Sequence, residues 1–408
     1  MSVCKKIFTI LFIASLFGLS IYNFYDKKDV LLSEVKELER SKKIEDVKKY
    51  TFEIDSLLVS NMTGNHFWNE AYGAIYNVFY KNEENTFKYV RDKNGHLFAG
   101  DFINVPSYEA KDVARGMRNL MDIAAQKDTK VVAMIFPSQY NEKWSDGYYG
   151  MIYQQYNKFN DDLFRWLRYY GVPYIDYKTY FENSGFSESQ LFYKTDHHWT
   201  VREAFEGFVE MTKYLNNKFD AGLDNYYIDY NNYKVEEYEK AFMGSQGRDA
   251  GVAYAGLDDY ITIIPKFDTN YELYHYTDKM EKVAHATGNI TDTLIIRKKY
   301  FGYVDYYERD MNNVYLEGVC PYTTIKNLNN EDGLKVLYIR DSYASPIGVF
   351  FSSYCAQTDM IWSAKANENY IKNKLDETDY DYIFIAMASD SAATTGYTFF
   401  QQEVSDSE

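Results

Sequence analysis

Short runs of apolar residues, separated by longer amphipathic stretches, constrain the fold of this chain more than any other feature. Val131–Phe136, Val336–Ile339 and Tyr382–Met387 are continuous apolar runs, the pattern of strands that are buried on both faces of a sheet. Residues 107–127 and 151–170 carry apolar side chains at helical spacing. Strands that alternate with helices form parallel sheets joined by right-handed crossovers. The sequence therefore predicts an α/β fold with a parallel sheet flanked by helices.

The N-terminal segment differs in composition from the rest of the chain. Lys5 and Lys6 precede an uncharged run from Ile7 to Tyr25, which as a helix would span about 28 Å, close to the hydrocarbon thickness of a bilayer. The basic residues predict that this end faces the cytoplasm, so that residues 1–25 form a single-pass membrane anchor and the C-terminal domain is extracytoplasmic. The alternative is a cleaved signal peptide and a secreted protein, but no clear cleavage site follows the run.

The remaining chain divides into three segments. Residues 26–60 combine helical periodicity with many charges, which predicts a helical stalk, and residues 61–390 carry the α/β pattern. Within that domain, residues 218–330 break the strand–helix alternation, which predicts a largely β insertion or subdomain. Residues 391–408 form a polar, acidic tail that is expected to fray. The strand-like pieces of the insertion are Tyr260–Ile264, Thr293–Ile296 and Val314–Leu316.

Charge and residue composition bear on the partners and cofactors that the chain could have. The formal net charge of −16 argues against a nucleic-acid partner. The 43 tyrosines suit packing, and those at the surface would suit stacking on sugar rings. Cys320 and Cys355 are compatible either with a disulfide or with two solitary thiols. No zinc-type spacing of cysteine and histidine occurs, so neither a metal nor a cofactor is predicted.

A loop with two histidines leads into one of the predicted helices. Thr200 and Glu203 form a capping-box signature, which starts a helix directly after the loop that holds Asp196, His197 and His198. A carboxylate two residues from an imidazole suits acid/base chemistry, because it fixes the ring tautomer and stabilises the charged form. Two other interpretations stay open. One is a structural histidine pair bonded to a turn; the weaker one is a metal site, although adjacent histidines cannot easily aim at one ion.

A serine far downstream lies in a second turn. Ser342 stands between the apolar run that ends at position 339 and a helix start predicted at Ser345-Pro346. A strand–turn–helix with a serine at the turn exposes a nucleophilic hydroxyl above a sheet. Because a serine is inert until a base accepts its proton, Ser342 as nucleophile requires His198 as general base and Asp196 as the residue that orients it.

Together the two motifs resemble the DHHW family, a branch of the SGNH-hydrolase-like proteins related to the alginate O-acetylation proteins. In that family an Asp-x-His-Trp motif precedes an Asp-Ser nucleophile motif, so the order is permuted relative to ordinary SGNH esterases. The resemblance implies an SGNH-like, flavodoxin-like sheet, and it implies that His198, directly before Trp199, is the base in place of His197. For Trp199, core packing is favoured over stacking on a sugar.

The resemblance also covers a segment that would supply oxyanion donors. Residues 242–248 are similar to the family's Gly-Ser-x-Gly segment, for which an ordinary glycine turn is the alternative. The backbone N–H of Ser342 is a further expected donor. The chain departs from the family at 316–319, where a second glycine and an asparagine are expected, and at 204–205, where Gly-Ala is expected. The candidate oxyanion or substrate residues are Gly244, Ser245, Arg248, His197 and Trp199.

The function implied by the resemblance is extracytoplasmic acyl transfer. The substrate would be an envelope or secreted polysaccharide, and the partner a membrane-bound O-acyltransferase that supplies the acyl group. O-acetylation and deacetylation use the same residues, so both stay open. The alternative of a different class is a non-catalytic polysaccharide-binding or scaffold protein, and a plain secreted esterase for small molecules is a third.

Overall fold

The computed structural model describes residues 3–41, 65–83, 88–100, 106–302, 305–394, 397 and 399–400. The N-terminal helix, α1, extends over Val3–Ser41. Within the described residues, its Lys5–Asp26 part, with a mean hydropathy of 1.9, is the one helix long and apolar enough to cross a membrane, a test that a signal sequence also passes. The predicted stalk coincides with α1 as far as residue 41, and its remainder lies outside the described residues.

The rest of the described chain contains both helices and strands. The helices after α1 are α2 (Asn65–Val78), α3 (Ala110–Ala125), α4 (Asn157–Tyr170), α5 (Tyr177–Glu182), α6 (Glu188–Leu191), α7 (Val201–Phe219), α8 (Ser245–Ala250), α9 (Val252–Ala255), α10 (Ile290–Thr293), α11 (Arg297–Phe301), α12 (Ala344–Phe351), α13 (Glu368–Glu377) and α14 (Ser389–Thr394). The strands are β1 (Tyr89–Arg91), β2 (Leu97–Ala99), β3 (Lys130–Phe136), β4 (Tyr174–Asp176), β5 (Tyr233–Phe242), β6 (Asp258–Pro265), β7 (Tyr271–Tyr276), β8 (Lys282–Gly288), β9 (Tyr322–Asn327), β10 (Leu334–Arg340), β11 (Cys355–Trp362) and β12 (Tyr382–Ala388).

The main sheet has eight strands in the order β4-β3-β12-β10-β11-β9-β7-β8. The first five are parallel to one another, and they include every strand predicted from a continuous apolar run. Helices pack on both faces of these strands. Tyr338 and Phe384 belong to a core shared with α7 and α12, whereas Ile339 and Ile385 belong to a core shared with α3 and α4. Both faces are thus buried, which confirms the predicted α/β fold with its parallel sheet between helices.

Residues 218–330, predicted as a largely β insertion, contribute to two sheets. β7, β8 and β9 pair antiparallel and extend the main sheet beyond β11, whereas β5 and β6 form a separate two-stranded ribbon. Of the strand-like pieces, Tyr260–Ile264 lies in β6. Thr293–Ile296 and Val314–Leu316 pair with each other only through an isolated bridge between Ile295 and Tyr315. A short helical turn precedes each segment, so neither forms a longer strand.

The capping box predicted at the start of α7 is half formed. The Thr200 side chain accepts a hydrogen bond of 3.2 Å from the backbone N–H of Glu203, as an N-cap does. The return bond is missing: the Glu203 carboxyl is buried, and in the described part of the chain neither of its oxygens has a hydrogen-bond partner. Burial raises the pKa of Glu203 to about 9, so this carboxyl is protonated at neutral pH.

The helix after Ser342 begins earlier than predicted. α12 starts at Ala344, and Pro346 lies in its first turn, where a missing N–H leaves no intrahelical bond unmade. Ser345 is therefore inside the helix and does not cap it. Its hydroxyl instead accepts a hydrogen bond of 2.9 Å from Nη1 of the buried Arg340. Cys320 and Cys355, by contrast, are both free thiols.

Candidate active site

Ser342 and the loop that holds Asp196 meet at the carboxyl end of the parallel strands. Ser342 comes two residues after β10, near the centre of the main sheet, and the loop connects α6 to α7. An isolated bridge between Phe192 and Trp199 closes the base of this loop and holds its tip in place. Open α/β sheets bind their ligands at this edge, because the strands end there and the loops that follow them converge.

A chain of hydrogen bonds joins Asp196, His198 and Ser342. His198 Nε2 lies 2.6 Å from Ser342 Oγ, and His198 Nδ1 lies 2.5 Å from Asp196 Oδ1. Because an ionised carboxylate can only accept, Nδ1 carries the proton and Nε2 is left to accept the serine hydroxyl. The backbone N–H of His198 also donates to Asp196 Oδ1, at 3.0 Å. This arrangement is that of a nucleophile, a base and the group that orients the base.

The charges of this group follow from its burial and its mutual contacts. Burial alone would raise the pKa of Asp196, but the adjoining His198 and His197 rings hold it well below its usual range. Burial likewise acts to lower the pKa of His198, yet the Asp196 carboxylate outweighs it and leaves this pKa above its ordinary value. His198 is therefore a stronger base than a free imidazole.

Gly244 and Ser245 approach the site from the side of the aspartate. Ser245 donates to Asp196 Oδ2 through its backbone N–H at 2.8 Å and through its hydroxyl at 3.2 Å. Gly244 donates its N–H to Thr195 Oγ1 at 2.8 Å. A Cβ at Gly244 would collide with the Asp196 side chain, so the close approach requires glycine. These N–H groups are already engaged in positioning the loop, which differs from the oxyanion role predicted for them.

Arg248 is turned toward neighbouring backbone and acid groups. Its Nη1 donates to the Met243 carbonyl at 3.2 Å, and its Nη2 lies 3.5 Å from Asp310 Oδ2. These contacts hold the α8 segment together. The predicted substrate role of Arg248 stays a prediction.

His197 lies beside the hydrogen-bonded chain and is not a link in it. Its side chain is 42% exposed, and its Nδ1 is 3.8 Å from Asp196 Oδ1. Its ring centroid is 4.1 Å from that of His198. Asp196, His197 and His198 are also close enough to surround an ion. Both nitrogens of His198, however, already contact Asp196 and Ser342, which favours a relay over a metal site.

Trp199 is a core residue, as predicted. Its side chain is buried, and its ring centroid lies 4.6 Å from that of Phe136 at the end of β3. Its Nε1–H donates to the Tyr343 carbonyl at 3.1 Å. Trp199 thus ties the histidine loop to the turn that carries Ser342, and it offers no free face to a sugar.

Two recesses adjoin the three hydrogen-bonded residues. One contains Ser342 and is largely aromatic, and the other contains His197 and is richer in amides and hydroxyls. The first is lined by Tyr193, His198, Trp199, Val201, Tyr260, Asn312, Tyr315, Ser342 and Pro346. The second is lined by Phe98, Ala99, Ser138, Gln139, Tyr140, Gln154, Tyr156, His197, Gln246, Tyr343 and Asp390.

Structural comparison relates this fold to solved proteins. Bacillus cereus PatB1 with a sulfonyl adduct superposes with a TM-score of 0.60 at 13% identity, covering 75% of this chain and 95% of PatB1. A second PatB1 structure gives 0.59 at 14% identity, with 77% and 98% covered. The chain shares the fold of PatB1.

Two further neighbours are more distant. A DHHW family protein from Eubacterium siraeum has a TM-score of 0.49 at 18% identity, with 75% of this chain and 91% of that chain covered. The O-acetyltransferase domain of Pseudomonas putida AlgJ has a TM-score of 0.43 at 12% identity, with 75% and 92% covered. The neighbours thus include a protein described as a DHHW family protein. No protein-family model matches the sequence, and no curated protein matches it.

Sequence reasoning missed the residues that hold the serine turn. Asp341 accepts from the Tyr343 N–H at 3.0 Å and from the Ala388 N–H at 2.7 Å, which ties the turn to the end of β12. Burial raises the pKa of Asp341 to about 6. The Tyr343 hydroxyl in turn donates to the His197 carbonyl. The Asp-Ser dipeptide in the sequence draws attention to Asp341. The bond from the Ala388 N–H to Asp341 Oδ2, however, becomes visible only when the pairing of β10 with β12 is known.

Asn312 is a second residue that the motifs did not indicate. It lies in the 3₁₀ turn Met311–Val314, and it lines the recess that contains Ser342 and His198. An asparagine was expected at 316–319, a few residues further along. The expected segment itself has an irregular backbone, with positive φ at Leu316 and Glu317.

Proposed function

We propose that this protein is an extracytoplasmic serine-dependent acyl-transfer protein that adds acetyl groups to a polysaccharide or removes them. The observation that carries the proposal is the hydrogen-bonded chain from Asp196 through His198 to Ser342, with distances of 2.5 and 2.6 Å. A buried carboxylate, an imidazole with one unprotonated nitrogen and a serine at a strand end form the constellation that activates a hydroxyl for acyl transfer.

The chemistry proceeds in two balanced steps. Ser342 Oγ attacks the carbonyl carbon of an acyl ester while its proton passes to His198 Nε2, and the departing alcohol leaves with that proton. In the second step an acceptor hydroxyl gives its proton to His198 Nε2 and attacks the acyl carbon; the bond from that carbon to Ser342 Oγ breaks, and His198 returns the proton to Oγ. A sugar hydroxyl as acceptor gives transfer, and water gives hydrolysis. Both outcomes use the same three residues.

The oxyanion formed in each step needs hydrogen-bond donors. The backbone N–H of Ser342 and the side-chain amide of Asn312 are the donors that we propose, since Asn312 lines the recess that holds Ser342. The aromatic walls of this recess suit a small acyl group, whereas the polar recess beside His197 suits the hydroxyl-rich acceptor. The resemblance to the DHHW family supports a polysaccharide as that acceptor and a membrane-bound O-acyltransferase as the donor's source.

Covalent labelling tests the proposal. A PatB1 structure carries a sulfonyl adduct, and sulfonyl fluorides react with activated serines, so the probe is a sulfonyl fluoride followed by peptide mapping. We expect the adduct on Ser342, its loss in Ser342→Ala and His198→Ala, and slower labelling in Asn312→Ala. His197→Ala should keep the adduct. Ser345, which is buried in α12 and bonded to Arg340, is the internal control and should not react.

Equal and negligible labelling of the wild type and of these variants would overturn the enzymatic proposal. The alternative is then a non-catalytic polysaccharide-binding protein. A polysaccharide pull-down with wild type and Ser342→Ala distinguishes the two, because a binding protein keeps its affinity when the serine hydroxyl is removed. Labelled wild type that transfers acetyl from an ester to water but not to a polysaccharide would identify an esterase.

A further inference from the structure

Three titratable side chains form a buried cluster outside the candidate active site. Asp92 and His96 flank the turn of the β1–β2 hairpin, and Glu188 is the first residue of α6. Their exposed fractions are 2%, 0% and 3%. His96 Nδ1 lies 3.3 Å from Glu188 Oε2 and 3.9 Å from an oxygen of Asp92. One ligand atom from each residue lies within 4.8 Å of the other two.

The polar atoms of this cluster are not satisfied by the described residues. Asp92 Oδ2, Glu188 Oε1 and both ring nitrogens of His96 lack a partner of hydrogen-bond geometry there. Glu188 Oε2 accepts from the Asn94 amide at 3.0 Å, and Asp92 Oδ1 accepts from the His96 N–H at 2.8 Å. Burying polar atoms without hydrogen-bond partners costs free energy, and a bound cation would satisfy the three side chains together.

We propose that Asp92, His96 and Glu188 bind a divalent transition-metal ion, for which Zn²⁺ is the best match. An imidazole with two carboxylates is a nitrogen-and-oxygen ligand set that Zn²⁺ accepts, whereas Mg²⁺ and Ca²⁺ prefer oxygen alone. Ligand atoms at about 2.0–2.2 Å from a tetrahedral Zn²⁺ lie roughly 3.3–3.6 Å from one another. The distances of 3.3 and 3.9 Å fall near this range. The divalent charge matches two carboxylates.

The orientation of His96 fits a ligand. Nδ1 faces both carboxylates, so Nε2 is the nitrogen that remains for the Phe192 backbone, which acts on this ring although no bond of full hydrogen-bond geometry is formed. Metal-bound histidines usually donate their second N–H to a carbonyl or carboxylate, which fixes the tautomer that leaves the first nitrogen free for the ion. Water would complete the coordination, as in other sites with three protein ligands.

The proposed ion would join the hairpin to the histidine loop. The N–H of Leu97, next to His96, donates to the Lys194 carbonyl at 2.8 Å, two residues before Asp196. Glu188 lies on α6, which leads into the same loop. The metal would therefore stabilise the position of the loop without touching Ser342. Sequence spacing does not indicate this site, because Glu188 lies far along the chain from the other two ligands.

Zinc titration of the full chain in detergent, after removal of metals with a chelator, tests the inference. We expect one Zn²⁺ per chain and a melting temperature raised by about 4 °C when Zn²⁺ is in hundredfold excess over Kd. His96→Ala and Glu188→Gln should lose both effects. Glu272→Gln removes a partly exposed carboxylate that also lies beside a histidine, His285, and this matched control should keep both effects.

Two outcomes would overturn the inference. One is a wild type that binds no Zn²⁺ or binds it without stabilisation. The other is binding that survives Glu188→Gln but is lost in His197→Ala, which would move the ion to the candidate active site. If His96→Ala or Glu188→Gln fails to fold, Asp92→Asn takes its place in the zinc titration, because it keeps the size of the side chain and should also lose Zn²⁺ binding. X-ray absorption at the zinc edge should detect one imidazole ligand, and two would contradict the assignment.

Discussion

His198 lies between Asp196 Oδ1 and Ser342 Oγ, which place opposite demands on the protonation of its ring. Asp196 Oδ1 favours a proton on Nδ1, whereas Ser342 Oγ can give up its own proton only when Nε2 carries none. Burial acts to lower the pKa of His198, and the Asp196 carboxylate more than compensates, so the pKa ends above its ordinary value. The contact that orients this base therefore also raises the pH at which the base becomes available.

The pH dependence of labelling follows from this balance. Only a neutral His198 can accept the serine proton, so we expect the rate of sulfonylation to fall as the pH drops through the pKa of His198. The midpoint should lie above about 6.5, the value for an unperturbed ring. The measurement is the labelling rate against pH at constant ionic strength. A rate that stays constant from about pH 8 to about pH 5 would contradict the role of His198.

Asp196→Asn tests whether Asp196 orients the His198 ring for catalysis or only stabilises the fold. The amide keeps the size of the side chain but cannot stabilise the imidazolium, so we expect labelling to slow by roughly 10³–10⁴-fold. The midpoint of the pH profile should also move down, because His198 loses the adjacent charge. Asp259→Asn, at an exposed carboxylate, is the matched control and should change neither. Labelling retained at an unchanged melting temperature would show that Asp196 is only structural.

At the scale of elements, the segment at the start of α8 packs against Asp196 and fixes its position. Gly244 has an ordinary φ of −71°, so its backbone accepts any residue, but a Cβ would collide with Asp196 and with the Thr195 carbonyl. We expect Gly244→Ala to destabilise the fold by about 1–3 kcal/mol through overpacking, and to slow labelling by displacing Asp196. Thermal unfolding and labelling rates measure the two effects.

Ser245→Ala is the control for that variant. It removes one hydroxyl hydrogen bond of 3.2 Å and keeps the backbone N–H bond of 2.8 Å to Asp196. Its effects should therefore be smaller than those of Gly244→Ala. A Gly244→Ala protein as stable and as reactive as the wild type would show that this segment does not position the aspartate.

The elements that sequence predicts best are those buried on both faces. β3, β10 and β12 are continuous apolar runs, and the sequence needs no partner to reveal them. β7 has alternate buried and half-buried residues, and β8 is mostly exposed, so neither carries that signal. The same limit applies to the site. Asp196, His198 and Ser342 belong to local motifs, whereas the position of Asn312 depends on how distant turns pack.

At the scale of the whole molecule, α1 leads to a prediction about where the protein resides. With Lys5 and Lys6 ahead of an apolar helix, we expect the full chain to fractionate with membranes and a chain that begins near residue 30 to be soluble. Carbonate extraction and mass spectrometry of the mature N-terminus measure this. A mature N-terminus beyond residue 20 would rule out an anchor and identify a secreted protein.

β12, the last strand in the chain, lies in the middle of the main sheet. It pairs with β3 on one side and with β10 on the other, so among the described residues it is the strand through which β3 and β4 are joined to the remaining five strands of the sheet. A ribosome or an export channel releases this segment after every other strand. The two parts of the sheet can therefore join only once β12 has emerged. If the chain is exported as proposed, this topology would delay completion of the sheet during translocation, and Ser342 and His198 would come together only after β12 had joined its two neighbours.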